Sequence, residues 1–132
     1  MSISNKKTIL LIDDDEMVHQ VVQHITQDKY ILHTATSGDE GLMLMVEGVV
    51  PDLILLDIIM PGMDGWETYA KIRTVSLLHE VPIAFFTSEQ KVDDIKKGLA
   101  LGAVDYIIKP LPSSSLLKRI GDLLQHGKVY IY

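Results

Sequence analysis

The stretch Leu53-Ile54-Leu55-Leu56-Asp57-Ile58-Ile59-Met60-Pro61-Gly62-Met63-Asp64-Gly65 decides how this chain folds. Its first four residues are apolar without a break, which reads as a strand buried on both faces. Asp57 closes that strand, and the run from Met60 to Gly65 carries the proline and glycines of a turn. A carboxylate at the end of a buried strand costs free energy unless something nearby compensates it. Three other strand-like runs end in the same way. Leu10-Leu11-Ile12 meets Asp13-Asp14, Ile83-Ala84-Phe85-Phe86 meets Thr87, and the run 104–108 meets Lys109-Pro110. If the strands are parallel, all of these groups gather at one edge of one sheet.

Between the strands the pattern changes period. From Glu16, apolar residues recur at Val18, Val21, Val22 and Ile25, the spacing of a helix. Residues 30–35 read as a strand. Ser37-Gly38-Asp39-Glu40 has the form of a capping box and opens a helix with Leu42, Met45 and Val46 inward. Asp64 caps a helix carrying Trp66, Tyr69 and either Ile72 or Arg73. Val92, Ile95 and Leu99 mark another helix, which stops at Gly102. Pro112 and Ser113 to Ser115 begin a last helix with Leu116, Leu117, Ile120, Leu123 and Leu124 apolar. Five β-α units with short connections predict an α/β fold with a five-stranded parallel sheet covered on both faces by five helices. Right-handed crossovers and strand order 2-1-3-4-5 give a doubly wound, flavodoxin-like sheet. In such sheets ligands sit at the carboxyl ends of the strands, where the order reverses, and Asp13, Asp14 and Asp57 flank that point. The expected domain is single and spans 1–132, with a core of about 7–125. Residues 125–132 do not continue the helical pattern, and 129–132 are apolar for a chain end, suggesting a severed linker or a strand that pairs with a partner edge.

Bulk composition excludes several classes. At 132 residues, 47% apolar and 23% charged, the chain fits one globular domain. A net charge of −6, with 12 Lys and Arg and no basic run longer than two, argues against direct nucleic-acid binding. The absence of cysteine excludes disulfides and thiolate chemistry. No stretch approaches the roughly 20 apolar residues of a membrane span, and the short run before Asp13 is no signal peptide. A cytoplasmic location is expected. There is no dinucleotide or ATP fingerprint. The five histidines are scattered, and their spacing does not suggest a metal site.

The residue types at the sheet edge suggest a chemistry. Asp13, Asp14 and Asp57 bring three negative charges together, and unpaired they raise one another's pKa. Lys109 offsets one. A hard divalent cation, Mg²⁺, offsets the other two, since it favours carboxylate and carbonyl oxygens and keeps several waters. A carboxylate in such a site can act as a nucleophile and form an aspartyl phosphate. Cation and lysine would clamp the phosphoryl oxygens, and a hydroxyl such as Thr87 would reach the remaining one.

The ordered set Asp13-Asp14, Asp57 with Met60 to Gly65, Thr87, and Asp105-Tyr106-Ile107-Ile108-Lys109-Pro110 closely resembles the receiver domain of two-component response regulators. The resemblance implies that Asp57 is the phosphoacceptor. It implies Asp14 as a direct Mg²⁺ ligand, Asp13 as one acting mostly through water, and the Ile59 carbonyl as a third protein ligand. Thr87 would swing toward the phosphoryl group, Tyr106 would follow inward as an aromatic switch, and Lys109 would contact phosphoryl oxygens ahead of a cis Lys109-Pro110 peptide. Ile59 and Glu89, two residues past Asp57 and Thr87, occupy positions that tune access of the hydrolytic water. The implied donor is a phosphohistidine on a sensor histidine kinase or phosphotransfer protein. The expected output is a partner protein or domain reached through the face formed by the fourth helix, fifth strand and fifth helix. The chain would catalyse only its own phosphorylation and dephosphorylation.

Taken singly, each element has an ordinary structural explanation: a helix cap, a turn, a strand-end threonine, a loop lysine. They lose force because all would have to hold together. Two other functions were weighed. An aspartyl-phosphate phosphatase of the haloacid dehalogenase type needs an acid two residues after the nucleophile, where Ile59 stands. An unphosphorylated pseudo-receiver acting as an interaction module usually lacks an acid or the lysine, and this chain has them all. A phosphorylation-dependent dimer stays open, with no residue pattern supporting it.

Overall fold

The computed structural model describes residues 6–127. Its elements alternate throughout: β1 (Thr8–Ile12), α1 (Glu16–Thr26), β2 (Ile31–Ala35), α2 (Gly38–Val46), β3 (Leu53–Leu56), α3 (Gly65–Thr74), β4 (Ile83–Thr87), α4 (Val92–Ala100), β5 (Asp105–Ile108) and α5 (Ser113–His126). The strands form one sheet in the order β2-β1-β3-β4-β5, and every neighbouring pair is parallel. This is the predicted fold class and order.

Side-chain alternation along the strands builds two cores. Leu10, Ile12, Ile54, Leu56, Ile83 and Phe85 face one way and pack with Met45, Tyr69, Ile72 and Tyr106. Ile9, Leu11, Leu53, Leu55, Ala84, Phe86 and Ile107 face the other way, against Val22 of α1 and Leu116, Ile120 and Leu123 of α5. Each fully buried Leu or Ile contributes about 1.5–3 kcal/mol relative to exposure, so the central strands are the rigid base on which the site rests.

Local signals act as expected at most boundaries. Asp15 caps α1 by accepting from Met17 N at 2.9 Å, Ser37 caps α2 by accepting from Glu40 N, and Asp64 caps α3 by accepting from Glu67 N. The reciprocal arm of the Ser37 box differs: Glu40 accepts from Thr36 N rather than from the cap residue itself. Gly102 follows α4 with φ of +106°, a conformation that suits glycine. Gly65 is dictated by close approach, since a Cβ there would run into Asp57 O and stand 2.6 Å from Ile58 Cα.

Some sequence expectations are corrected. Val46 does not point inward: it lies 73% exposed at the last turn of α2, where the neighbouring layer no longer covers the helix. Val21 and Val92 are likewise exposed, because the inner stripe of each helix is narrower than the apolar spacing suggests. Of the alternatives on α3, Ile72 is buried, and Arg73 reaches over the Tyr69 ring. α5 continues through Gln125 and His126 before Gly127 ends it, so the helix is longer than its apolar pattern. The apolar stretch 129–132 lies outside the described residues. No helix among the described residues is long and apolar enough to cross a membrane.

Candidate functional site

The site forms at the carboxyl edge of the sheet because β1 and β3 are hydrogen-bonded neighbours. Asp57 N donates to Ile12 O at 2.9 Å, and Asp13 N donates to Ala35 O at 3.0 Å. These two bonds extend the ladder by one residue, so both carboxylates leave the sheet at the same level. Asp13 is fully buried and Asp57 is 6% exposed. Asp14, which follows Asp13 into the loop, is exposed. One oxygen from each of the three carboxylates lies within 4.8 Å of the others.

Lys109 arrives from the far end of β5. Its backbone N donates to Thr87 O at 2.8 Å, and the Lys109-Pro110 peptide is cis, as expected. Its Nζ donates to Asp13 Oδ2 at 2.7 Å and lies 3.6 Å from Asp57 Oδ2. One ammonium therefore serves two buried carboxylates. Asp13 is further fixed by accepting from Asp15 N at 2.9 Å through its other oxygen. His19 Nε2 lies 2.6 Å from the Asp13 carbonyl oxygen. No sequence pattern announced that contact, since an isolated histidine on an amphipathic helix has no distinguishing neighbour.

Burial is the main force on Asp57 and pushes its carboxyl above the usual carboxylate range, with the Asp13 charge adding to the effect. A hydrogen bond with Thr87, the Lys109 ammonium and the Ile58 N–H at 2.8 Å pull the other way without cancelling it. The carboxylate is thus incompletely compensated by protein groups alone. That residual charge, with a donor set made only of hard oxygens, fits a divalent cation such as Mg²⁺.

Thr87 is fully buried at the end of β4 and accepts from Glu89 N at 3.3 Å. Tyr106 is turned inward. Its ring is 3% exposed, and its hydroxyl donates to Glu89 O at 2.7 Å. Burial, reinforced by the charges of Asp94, Glu89 and Asp57, pushes its phenol up to about 12. Ile59 is 58% exposed beside the Asp57 loop, and Glu89 is half-buried. The structure thus brings Asp13, Asp14, Asp57, Thr87 and Lys109 into one cluster, with Tyr106 joined to it through the Glu89 turn.

Sequence reasoning missed a second ion pair next to this network. Arg119 of α5 grips the fully buried Asp105 through two bonds of 2.7 Å, Nε to Oδ2 and Nη2 to Oδ1. In the sequence Asp105 stands only as part of the motif before Lys109. Its partner lies fourteen residues away, beyond any local pattern. The pair ties the start of β5 to α5.

Comparisons with known proteins agree with this geometry. The family model described as "Response regulator receiver domain" matches residues 9–121. The transcriptional regulatory protein HprR of Escherichia coli is 38% identical over 120 residues, covering 89% of this chain and 52% of HprR. The transcriptional regulatory protein AfsQ1 of Streptomyces coelicolor is 36% identical, covering 92% of this chain and 52% of AfsQ1. The chain thus spans about half the length of these curated relatives. Among solved structures, the Vibrio cholerae chemotaxis protein CheY4 superposes with a TM-score of 0.80 at 32% identity, covering 88% of this chain and 97% of CheY4. A response regulator from Chloroflexus aurantiacus, described as putative, superposes with a TM-score of 0.84 at 28% identity, covering 92% of this chain and all of that one. From the ordered strand-end residues, the sheet order and these matches, the chain belongs to the response regulator receiver domain family of two-component signalling.

Proposed function

We propose that this chain is a phosphorylation-dependent signalling switch whose acceptor is Asp57. The observation that carries this reading is the Asp57 carboxylate, 6% exposed, 3.6 Å from Lys109 and grouped with Asp13 and Asp14 at the switch point of the sheet. The donor is a phosphohistidine on a sensor histidine kinase or phosphotransfer protein. A carboxylate oxygen of Asp57 attacks the phosphorus, the P–N bond breaks, and its electron pair returns to the donor imidazole. Such transfers need positioning and charge neutralisation more than covalent assistance. The carboxylates of Asp13, Asp14 and Asp57 and the backbone carbonyl of Ile59 would hold Mg²⁺. The ion supplies charge neutralisation for the phosphoryl oxygens.

The chain's own residues do the rest. Lys109, already beside Asp57, offers its ammonium to the incoming oxygens. Thr87 turns its hydroxyl from Asp57 to the phosphoryl group, because the modified carboxylate presents stronger acceptors. Tyr106, hydrogen-bonded to the Glu89 carbonyl, passes the state of this turn to the surface made by α4, β5 and α5. Ile59 and Glu89 flank the path of the water that ends the signal. An apolar groove of about 430 Å³ between α1 and α5, lined by Met17, Val21, Ile25 and Leu116, reaches Lys109.

The output is a partner protein or a further domain acting on the α4-β5-α5 face. The curated relatives are named as transcriptional regulators, so control of transcription is the first output to test, exerted through such a partner rather than by direct nucleic-acid binding. The test of the switch itself is intact-mass analysis after incubation with Mg²⁺ and a small acyl phosphate. A Mg²⁺-dependent phosphoryl adduct on the wild type, absent from Asp57→Asn, supports the reading. An adduct that persists in Asp57→Asn overturns it.

A further inference from the structure

The buried residue of α4 is a glycine, Gly98, the seventh of nine residues in the helix. Glycine is among the poorest helix formers. Lys91 at its N-terminus makes no side-chain capping bond, so α4 also lacks a side-chain cap. What the missing side chain provides is space. A Cβ at position 98 would stand 3.0 Å from Phe85 Cδ2, 3.1 Å from Tyr106 Cδ2 and 3.2 Å from Phe85 Cε2. Carbon atoms pack best at about 3.5–4.0 Å, so one ring or the helix would have to give way.

The two rings are not equally free to do so. Phe85 is fully buried in the middle of β4. Three aromatic neighbours hold it: Trp66 at 4.9 Å between ring centroids, Tyr69 stacked at 5.6 Å, and Tyr106 at 5.9 Å. Trp66 is itself covered by Lys97 of α4, whose Nζ lies 4.2 Å from its ring centroid. Tyr106 has Phe85 on one side and is anchored at its tip by the single bond to Glu89 O at 2.7 Å. It is the ring that can leave.

We propose that Gly98 is a positioning residue for Tyr106: the bare backbone of α4 at this point is the seat that admits the tyrosine in its inward position. It thereby makes α4 sensitive to what happens at Thr87 and Asp57. When the ring is seated, the Glu89 turn after Thr87, the β5 tyrosine and the α4 backbone form one packed unit. When the ring leaves, the Tyr106 side of the space over Gly98 empties and Phe85 alone remains against α4 there. Packed interiors switch between discrete arrangements rather than deforming continuously. The coupling role rests on the receiver reading above. The seating of the ring does not, because it is a property of the unphosphorylated chain.

The test is solution NMR of the isotope-labelled chain, wild type and Gly98→Ala, before and after treatment with Mg²⁺ and acetyl phosphate. Before phosphorylation, Gly98→Ala is expected to lose the nuclear Overhauser contacts between the Tyr106 and Phe85 rings while keeping those between Phe85 and Trp66. After it, Asp57 is expected to carry the phosphoryl group in both proteins, with a smaller amide-shift response along α4 in the variant. Retention of the Tyr106–Phe85 contacts in Gly98→Ala would overturn the proposal. If the variant does not fold, melting temperatures in a Tyr106→Ala background decide the matter. Adding Gly98→Ala there should lower the melting temperature less than it does in wild type, because the Tyr106 contact is gone and only those with Phe85 remain. An equal loss with and without Tyr106 would place the conflict elsewhere and overturn the proposal. No phosphoryl uptake by either protein would fail the receiver reading and with it the coupling role. Uptake by both, with Tyr106 unmoved in the variant, would fail the Gly98 proposal alone.

Discussion

Replacing Lys109 with methionine removes one cation from a site that holds three carboxylates. The gross attractions being lost follow from the distances. With an effective dielectric of about 20, a unit pair at 2.7 Å is worth about 6 kcal/mol and one at 3.6 Å about 5 kcal/mol. The net loss is smaller, because burying the ammonium costs hydration that methionine does not lose, and because Asp57 can take up a proton. Removing one partner of a buried pair costs about 3–5 kcal/mol, and those relaxations put Lys109→Met near about 3 kcal/mol at pH 7. For a chain of this size that corresponds to a fall in melting temperature of roughly 10 °C. The loss should depend on pH in a definite sense. Without the ammonium, the folded-state pKa of Asp57 rises further, so the deficit is fully present above it and shrinks as pH falls through it. Saturating Mg²⁺ should also shrink it, since the variant, lacking the competing ammonium, should bind the cation more tightly than wild type, and each tenfold in Kd is worth about 1.4 kcal/mol. Urea unfolding of both proteins at pH 7 and pH 5, with and without Mg²⁺, measures all of this. A loss below about 1 kcal/mol at pH 7, or one that ignores both pH and Mg²⁺, would refute the view of Lys109 as the neutralising group of this cluster.

Other outcomes follow from the same geometry. Because burial raises the folded-state pKa of Asp57 above its usual 3.8, its charge costs stability at neutral pH. Asp57→Asn should therefore unfold at higher urea than wild type at pH 7 without Mg²⁺, with the advantage fading as pH falls toward the unfolded-state value. Arg119→Leu strips the bidentate partner from the fully buried Asp105, and calorimetry should show a loss of about 3 kcal/mol; a loss of a few tenths would mean the pair is dispensable. Exchanging both Ile59 and Glu89 for small polar residues should speed decay of phosphorylated protein several-fold, a change of about 1 kcal/mol in barrier. An unchanged decay rate, followed by intact mass over time, would remove their role in admitting water.

The sheet and the convergence of the site were legible because strand ends carry strong punctuation. Leu53–Leu56 is apolar without interruption and stops at Asp57, and the same break recurs before Asp13, Thr87 and Lys109. In a parallel sheet, such ends share one edge whatever the lengths of the helices between them. Helix faces were less legible. Period locates a stripe but not its width, so Val21, Val46 and Val92 fit the spacing and still face outward. The end of α5 was missed because Gln125 and His126 continue a helix without adding to its apolar stripe. The Asp105–Arg119 pair and the His19 contact with the Asp13 carbonyl join residues whose proximity exists only after packing. The inward position of Tyr106 depends on what surrounds its ring. Gly98, which makes room for that ring, reads in the sequence only as a weak point in a helix.

The account stands most directly on which atom receives the phosphoryl group. An acyl phosphate on aspartate is reduced by borohydride to homoserine, so trapping followed by peptide mass mapping reads the acceptor residue itself. After incubation with Mg²⁺ and a phosphodonor, the account predicts homoserine at position 57, and none when Mg²⁺ is withheld. Conversion at another aspartate, or none at position 57 while the intact protein carries a phosphoryl adduct, would contradict it.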